Sequence, residues 1–232
     1  MDETEHLKLR AAEAALGLVE PGMVLGLGTG STVAHFLELL GAKLESGELH
    51  GVLGVPTSIR TGREARHWGI PLATLAEHPR LDLTVDGADE VSPELDLIKG
   101  MGGALLREKV VGEASDRLVI IADEGKAVER LGTLSPLPVE VVDWGWTVHL
   151  KVLERFGARV SLRMLPDGPP YKSDNGNLIL ECRFPDGIEE PGAVHSALKS
   201  RAGVVETGLF LGMATEAFLA GPGGVRHMAR GG

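Results

Sequence analysis

Apolar residues fall along the first half of the chain in a repeating sequence of short runs and helical spacings. Residues 5–20 (EHLKLRAAEAALGLVE) place Leu7, Ala11, Ala14, Ala15 and Leu18 at helical intervals, and Pro21-Gly22 stops the pattern. MVLGLG (23–28) is a compact apolar run, followed by small residues and then the helical pattern VAHFLELLGAKL. The unit strand, glycine loop, helix then recurs. HGVLGVPTS (50–58) leads into IRTGREARHWG, LDLTVDGADE (81–90) ends in an acidic turn, and LDLIKGMGG (95–103) feeds ALLREKVVGEAS. RLVIIADEGK (117–126) is a strongly apolar strand with a polar end. Strands alternating with helices predict a parallel, doubly wound α/β sheet of Rossmann-like type.

The texture changes at Leu134-Ser135-Pro136-Leu137-Pro138. A strand (PVEVVDWG), a helix (TVHLKVLERFG), two strands (RVSLRML and NLILECRF), a helix (GAVHSALKSRAG) and a strand (VVETGLFLG) follow. The order βαββαβ predicts a smaller ferredoxin-like α+β domain. Asn175-Gly176 between its two middle strands reads as a hairpin turn. MATEAFLAG and a loose glycine-rich tail are expected to return to the first body. The expected division is 1–132 with 206–232 as the Rossmann-like catalytic domain, and 133–205 as the ferredoxin-like domain.

Composition narrows the function classes. With 232 residues the chain buries enough surface to need no disulfide or metal staple. No run of 18 apolar residues exists, and the acidic N-terminus has no apolar leader core, so neither a membrane span nor export is expected. The single cysteine, Cys182, has no internal partner and no basic context, and reads as core in a reducing cytoplasm. A net charge of −10 repels phosphate backbones, which disfavours a nucleic-acid partner. Trp68, Trp144 and Trp146 are expected to pack rather than to stack on bases.

Glycine is abundant, 32 residues, and clustered where strands are predicted to end. In an open parallel sheet those ends share one edge, and ligands bind there. The expected lining is Gly28 to Thr32, Pro56-Thr57-Ser58, Asp86 to Glu90, Lys99 to Gly103 and Asp123 to Lys126. Hydroxyls, carboxylates, two lysines and many glycine amides suit a small polar anion. GLGTGST exposes amides at a helix start, where the dipole favours negative charge, and Ser31 and Thr32 add hydroxyls; a tight turn without a ligand is the alternative. Asp86 and Asp89 bracket a strand-end turn and suit sugar hydroxyls or proton transfer as well as a solvated turn. Glu108 shares a helix face with Ala104, Leu105 and Val111. Turned toward the sheet it is a candidate general base; turned outward it is one charge in Arg107-Glu108-Lys109. Lys126 and Lys8 are candidate anion contacts or surface lysines.

Other chemistries fit less well. After Gly26-x-Gly28 the third glycine of a dinucleotide fingerprint is replaced by Ser31, and the next strand ends in Pro56-Thr57-Ser58 without the ribose-binding acid. No Gly-Lys-Ser/Thr follows the glycines, so a Walker A loop is absent. The eight histidines are scattered without ligand-like spacing, so no metal site is expected. Ser173-Asp174-Asn175 and Ser196-Ala197-Leu198-Lys199 mimic β-lactamase motifs in reversed order and without Lys-Thr-Gly.

Five stretches, in order and at consistent spacing, resemble the ribose-5-phosphate isomerase A family: GLGTGSTV (26–33), DGADE (86–90), KGMGGALLREK (99–109), DEGK (123–126) and SDNGN (173–177). The resemblance covers nearly the whole chain. It implies metal-independent interconversion of D-ribose 5-phosphate and D-ribulose 5-phosphate through a cis-enediolate in the pentose phosphate pathway. It implies no organic cofactor, and a cytoplasmic homo-oligomer, dimer or tetramer. By motif position, Glu108 resembles the general base. Thr29, Gly30, Ser31, Thr32, Asp86, Gly87, Ala88, Asp89, Lys99, Gly100, Met101, Gly102, Lys126 and Lys8 resemble substrate-binding positions. Asp86 or Asp89 would assist ring opening, and Lys99 with the glycine amides would face the enediolate oxygen. Met101 stands where the family commonly has glycine, and Gly125 where it commonly has serine. The alternative within the fold is a sugar-phosphate-sensing module that binds without reacting.

Overall fold

The computed structural model describes residues 3–166 and 168–231. In chain order the elements are α1 (Glu3–Leu16), β1 (Val24–Leu27), α2 (Ser31–Glu45), β2 (Leu53–Pro56), α3 (Ile59–His67), β3 (Leu83–Asp86), β4 (Glu90–Val91), β5 (Leu97–Ile98) and α4 (Leu105–Glu113). They continue as β6 (Leu118–Asp123), β7 (Leu137–Val141), α5 (Leu150–Arg155), β8 (Arg159–Leu162), β9 (Leu178–Arg183), α6 (Pro191–Lys199), β10 (Val204–Thr207), β11 (Leu209–Phe210), β12 (Glu216–Gly221) and β13 (Gly224–Ala229). No helix among the described residues is long and apolar enough to cross a membrane.

These elements pack as two compact units. The first comprises Met1–Ala88, Arg107–Lys126 and Met213–Gly232; the second comprises Asp89–Leu106 and Ala127–Gly212. The sequence reading divides the chain at 132/133 and 205/206. The structural division differs because 89–106 pair and pack with the later segment. Ile98 and Leu209 belong to the same apolar cluster as Leu137, Val139, Leu178 and Leu180.

The first unit is a six-stranded sheet in the order β13-β12-β6-β3-β1-β2. All neighbours run parallel except the terminal β12–β13 hairpin. β3 is buried throughout and β6 nearly so; in β6 this explains the continuous apolar run, because a parallel strand covered on both faces has no polar face to alternate with. Val33, Phe36, Leu37 and Leu40 recur at helical spacing on α2 and pack with Ala11, Ala12 and Ala15 of α1 over the sheet. Val111 of α4 joins Val55, Ala73 and Leu81 in a separate cluster. The tail read as loose is β13, an edge strand whose exposed Arg226 and His227 discourage further pairing.

The second unit holds two antiparallel sheets. One is four-stranded, β10-β7-β9-β8, which places the first and third strands of the βαββαβ unit centrally, as the ferredoxin-like reading expects. Gly176, at φ +79°, closes the hairpin between β8 and β9 with an N–H bond to Ser173 O at 2.9 Å. The other sheet is small, β11-β5-β4. β5 therefore does not belong to the parallel sheet, and the expectation that all five glycine and acid loops follow strands of one sheet is corrected. Its two residues pair antiparallel with both neighbours. Cys182 is buried as expected, and burial pushes its thiol up. The tryptophan expectation fails for Trp144, which is 90% exposed, and holds for Trp146, packed against the second unit's core.

Candidate active site

In the first unit, the strand order reverses between β1 and β3, because β2 lies outward of β1 on one side and β6 outward of β3 on the other. Ligands of doubly wound sheets bind beyond the carboxyl ends of the strands at such a switch point. The loop after β1 and the turn after β3 meet here. Asp86 is fully buried, and its Oδ1 accepts from Thr29 N at 3.0 Å and from Gly87 N at 2.7 Å. Gly28 N donates to Val85 O at 2.9 Å, and a methyl at Gly28 would collide with the Asp86 carboxylate. Glycine is required there by the close approach of two strands.

Thr29 Oγ1 lies 2.8 Å from Thr57 Oγ1, 2.9 Å from Ser58 Oγ and 2.9 Å from Thr61 Oγ1. Thr61 Oγ1 donates to Gly28 O at 2.8 Å, and Ser58 caps α3 by accepting from Thr61 N at 2.9 Å. Four hydroxyls thus fix the loop from the β2 side. The sequence reading includes Thr57 and Ser58 in the edge but misses Thr61, whose only signal is its place three residues into the Ser58-capped helix. Gly30 adopts φ 139°, ψ 172°, a region essentially restricted to glycine, and α2 begins with no side-chain cap. The loop thereby delivers the start of a 15-residue helix with Thr29 and Thr32 half-buried and Ser31 exposed. Its leading amides and positive dipole end suit an anion.

Glu108 stands in the first turn of α4 and is 3% exposed, with Ala104, Leu105 and Val111 buried on the same face. The inward reading of Glu108 therefore holds, and the exposed charge-run reading does not. Lys109 beside it is buried as well. Lys126 is half-buried in the 3-10 turn that follows β6, where Gly125 N donates to Asp123 Oδ1 at 3.1 Å. Lys8 sits on α1 with its ammonium 2.6 Å from Glu5 Oε1. His35 Nε2 is 2.9 Å from the other oxygen of Glu5, and these hydrogen bonds, Lys8 first, hold that carboxyl below its usual range.

The second unit carries Asp89, Lys99 and the loop from Gly100 to Gly103. Asp89 N donates to Ile98 O at 2.8 Å, and Asp89 Oδ2 accepts from Met101 N at 3.0 Å. Lys99 is 2% exposed, with Nζ 5.4 Å from the centroid of Phe210. A buried ammonium over an aromatic face is a fixed positive charge in a poorly screened setting. Gly100 (φ 107°) and Gly103 (φ 80°) give the loop a path closed to other residues. Met101 and Gly102 are exposed at its tip. Glu90, the last acid of DGADE, is structural: buried, it accepts from the amides of Gly132, Leu134 and Ser135 at 2.5–2.7 Å.

Among the described residues, no group of three or more His, Cys, Asp and Glu side chains is placed to hold a metal ion. Thr29, Gly30, Ser31, Thr32, Asp86, Gly87 and Glu108 belong to the first unit with Ala88, Lys8 and Lys126, whereas Asp89, Lys99, Gly100, Met101 and Gly102 belong to the second. The chain order of the motifs hides this partition.

Comparison with known proteins places these features in context. The sequence profile described as ribose 5-phosphate isomerase A (phosphoriboisomerase A) matches residues 53–224. Ribose-5-phosphate isomerase A of Chloroflexus aurantiacus is 51% identical over 225 residues, covering 97% of this chain and 94% of the relative. A probable ribose-5-phosphate isomerase 3, chloroplastic, of Arabidopsis thaliana is 47% identical over 97% of this chain and 84% of its own length. Among solved structures, a D-ribose-5-phosphate isomerase in complex with phospho-erythronic acid superposes with a TM-score of 0.95 at 39% identity, covering 99% of this chain and 100% of the other. The ribose 5-phosphate isomerase of Plasmodium falciparum superposes with a TM-score of 0.94 at 36% identity over 98% and 100% of the two chains.

Proposed function

Because the chain belongs to the ribose 5-phosphate isomerase A family, we propose that Glu108 carries the proton in its aldose–ketose isomerisation. The enzyme interconverts D-ribose 5-phosphate and D-ribulose 5-phosphate, a step of the pentose phosphate pathway. The open-chain aldose loses the hydrogen on C2, leaving a cis-enediolate across C1 and C2. The same proton delivered to C1, while the proton of the C2 hydroxyl passes to the C1 oxygen, gives the ketose. One carboxylate serves both transfers because C1 and C2 are neighbours on one face, and a positioned base contributes about 10²–10⁴-fold. The burial of Glu108 on an otherwise apolar helix face is the observation that supports this assignment.

The remaining roles are assigned by charge and motif position. Charge that develops on the enediolate oxygens calls for fixed donors, a part we assign to the Lys99 ammonium and the amides of Gly100 and Gly102. Asp86 or Asp89 assists ring opening, which moves a proton between the ring oxygen and the anomeric hydroxyl. Gly30, Ser31 and Thr32, at the start of α2, hold the phosphate, with Thr29 shaping the loop and Lys126 and Lys8 adding positive charge. Gly87 and Ala88 complete the turn against the sugar. The reading requires neither metal nor organic cofactor, and places the enzyme in the cytoplasm as a homo-oligomer; light scattering of the purified chain checks the last point.

The test is Glu108→Gln in a coupled assay of ribulose 5-phosphate formation. Turnover is expected to disappear while ribose 5-phosphate still binds with nearly unchanged affinity. A Glu108→Gln variant that still turns over refutes Glu108 as the base.

A further inference from the structure

Arg163 follows β8 in the ferredoxin-like segment, some sixty residues beyond the glycine loop 100–103, yet its guanidinium reaches that loop within the same compact unit. Nη1 donates to Gly100 O at 3.3 Å and to Met101 O at 3.1 Å, and Nη2 lies 3.7 Å from Met101 Sδ. Nε pairs with Glu181 Oε1 of β9 at 2.7 Å, and the group lies over the Tyr171 ring at 5.6 Å. Its own backbone is fixed on both sides, N–H to Ile179 O and C=O from Tyr171 N, each at 2.9 Å. The side chain is 9% exposed. The carboxylate of Glu181 offsets the cost of burying it, so the fork is available to grip neutral carbonyls. Tyr171 packs against Gly103, where any side chain would strike its hydroxyl.

These contacts fix the direction of two successive peptide planes. In a trans peptide the C=O and the following N–H point opposite ways. With Met101 O turned to Arg163, the Gly102 N–H is directed away from the guanidinium, at the exposed tip of the loop. With Gly100 O turned the same way, the Met101 N–H faces Asp89.

We propose that Arg163 is a positioning residue for the isomerisation, holding the Gly100 and Met101 carbonyls so that the Gly102 N–H is aimed at the oxygen on which enediolate charge develops. The proposal rests on the assignment of Lys99, Gly100 and Gly102 to enediolate stabilisation. Arginine is required because a planar fork can hold a carboxylate and two carbonyls at once, whereas an ammonium is a point donor.

The experiment compares the parent enzyme, Glu108→Gln, Arg163→Met and Arg163→Lys, each checked for folding by circular dichroism and thermal midpoint. Arg163→Met is expected to lose about 10²-fold in kcat, the size of effect seen when a catalytic group is displaced by about 1 Å. KM for ribose 5-phosphate stays within about threefold, because the interaction strengthens only in the transition state. Arg163→Lys, which keeps the charge opposite Glu181, is expected to recover part of the rate, to within about tenfold of the parent. Affinity for phospho-erythronic acid, with its planar charged carboxylate, falls with kcat/KM across the series, while affinity for ribitol 5-phosphate, which has no planar oxygen centre, does not. A folded variant, Met or Lys, with parental kcat overturns the proposal, as does a lower thermal midpoint with kcat unchanged. If Arg163→Met does not fold, the Lys variant alone decides by the same criterion. An active Glu108→Gln enzyme would instead refute the base assignment, so the two failures are distinguishable.

Discussion

The backbone N–H of Thr29 donates to the carboxylate of Asp86 at 3.0 Å, joining the loop after β1 to the end of β3. One aspartate thus organises the mouth of the parallel sheet and is also a candidate for ring opening. Asp86→Asn retains an oxygen for the Thr29 and Gly87 amides but removes the charge. The expected result is a thermal midpoint close to the parent and a fall in kcat of about 10²-fold. Asp86→Ala is expected to lower both. Steady-state kinetics together with a melting curve separate the two functions.

Gly103 carries φ +80° and faces the Tyr171 hydroxyl. Gly103→Ala adds backbone strain of order 1–3 kcal/mol and a clash with that side chain. A loss of thermal midpoint and a drop in kcat are expected together. Pairing the change with Tyr171→Phe should relieve part of the clash but not the strain, which a double-mutant cycle on the midpoint would show.

Glu140 lies fully buried on β7 and accepts on one oxygen from Ser173 Oγ, Asn175 Nδ2 and Asn177 Nδ2 at 2.8–3.1 Å. The SDNGN resemblance thus has a structural explanation: its side chains close the hairpin onto a buried carboxylate. Glu140→Ala would strand these donors and cost about 3 kcal/mol. A shift of the thermal midpoint by about 6–12 °C downward is expected for a chain of this length.

His149 is buried, and its Nδ1 accepts from Arg201 Nε at 3.1 Å, which requires the neutral ring with its proton on Nε2. Burial, and then the Arg201 charge, hold its pKa below the ordinary value of 6.5. The unfolded chain therefore binds the proton at higher pH than the folded one. Stability is fully present above pH 6.5 and is lost as pH falls from there toward the folded value. Thermal midpoints of the parent and His149→Gln between pH 8 and pH 5 check this: the parent should decline more steeply below about pH 6.5.

The metal independence proposed above makes a simple prediction. Isomerase activity should survive dialysis against EDTA unchanged.

The parts legible in the sequence are those encoded locally. The helix face of Glu108 follows from residues three and four apart, and the continuous apolar run of β6 marks a strand covered on both sides. The tail is harder to read, because Gly224–Ala229 becomes a strand only by pairing with β12. β5 is misplaced by sequence reasoning for a related cause: Leu97–Ile98 look like any buried pair, and only the partners β4 and β11 assign them to another sheet. Trp144 reads as core by composition, but side-chain type does not report exposure. Arg163, Tyr171 and Glu140 carry no motif, since their role arises from contacts with residues distant in the chain.

Arg117 pairs with Glu216, 99 positions further along the chain, at 2.6 Å, at the base of β6 and its neighbour β12. During synthesis, the greasy LVIIA segment of β6 leaves the ribosome long before the strand that will flank it exists. Until then it offers a raw hydrogen-bonding edge to other nascent chains. Yield in a heterologous host should therefore respond to translation speed and chaperone supply more than to the stability of the finished enzyme.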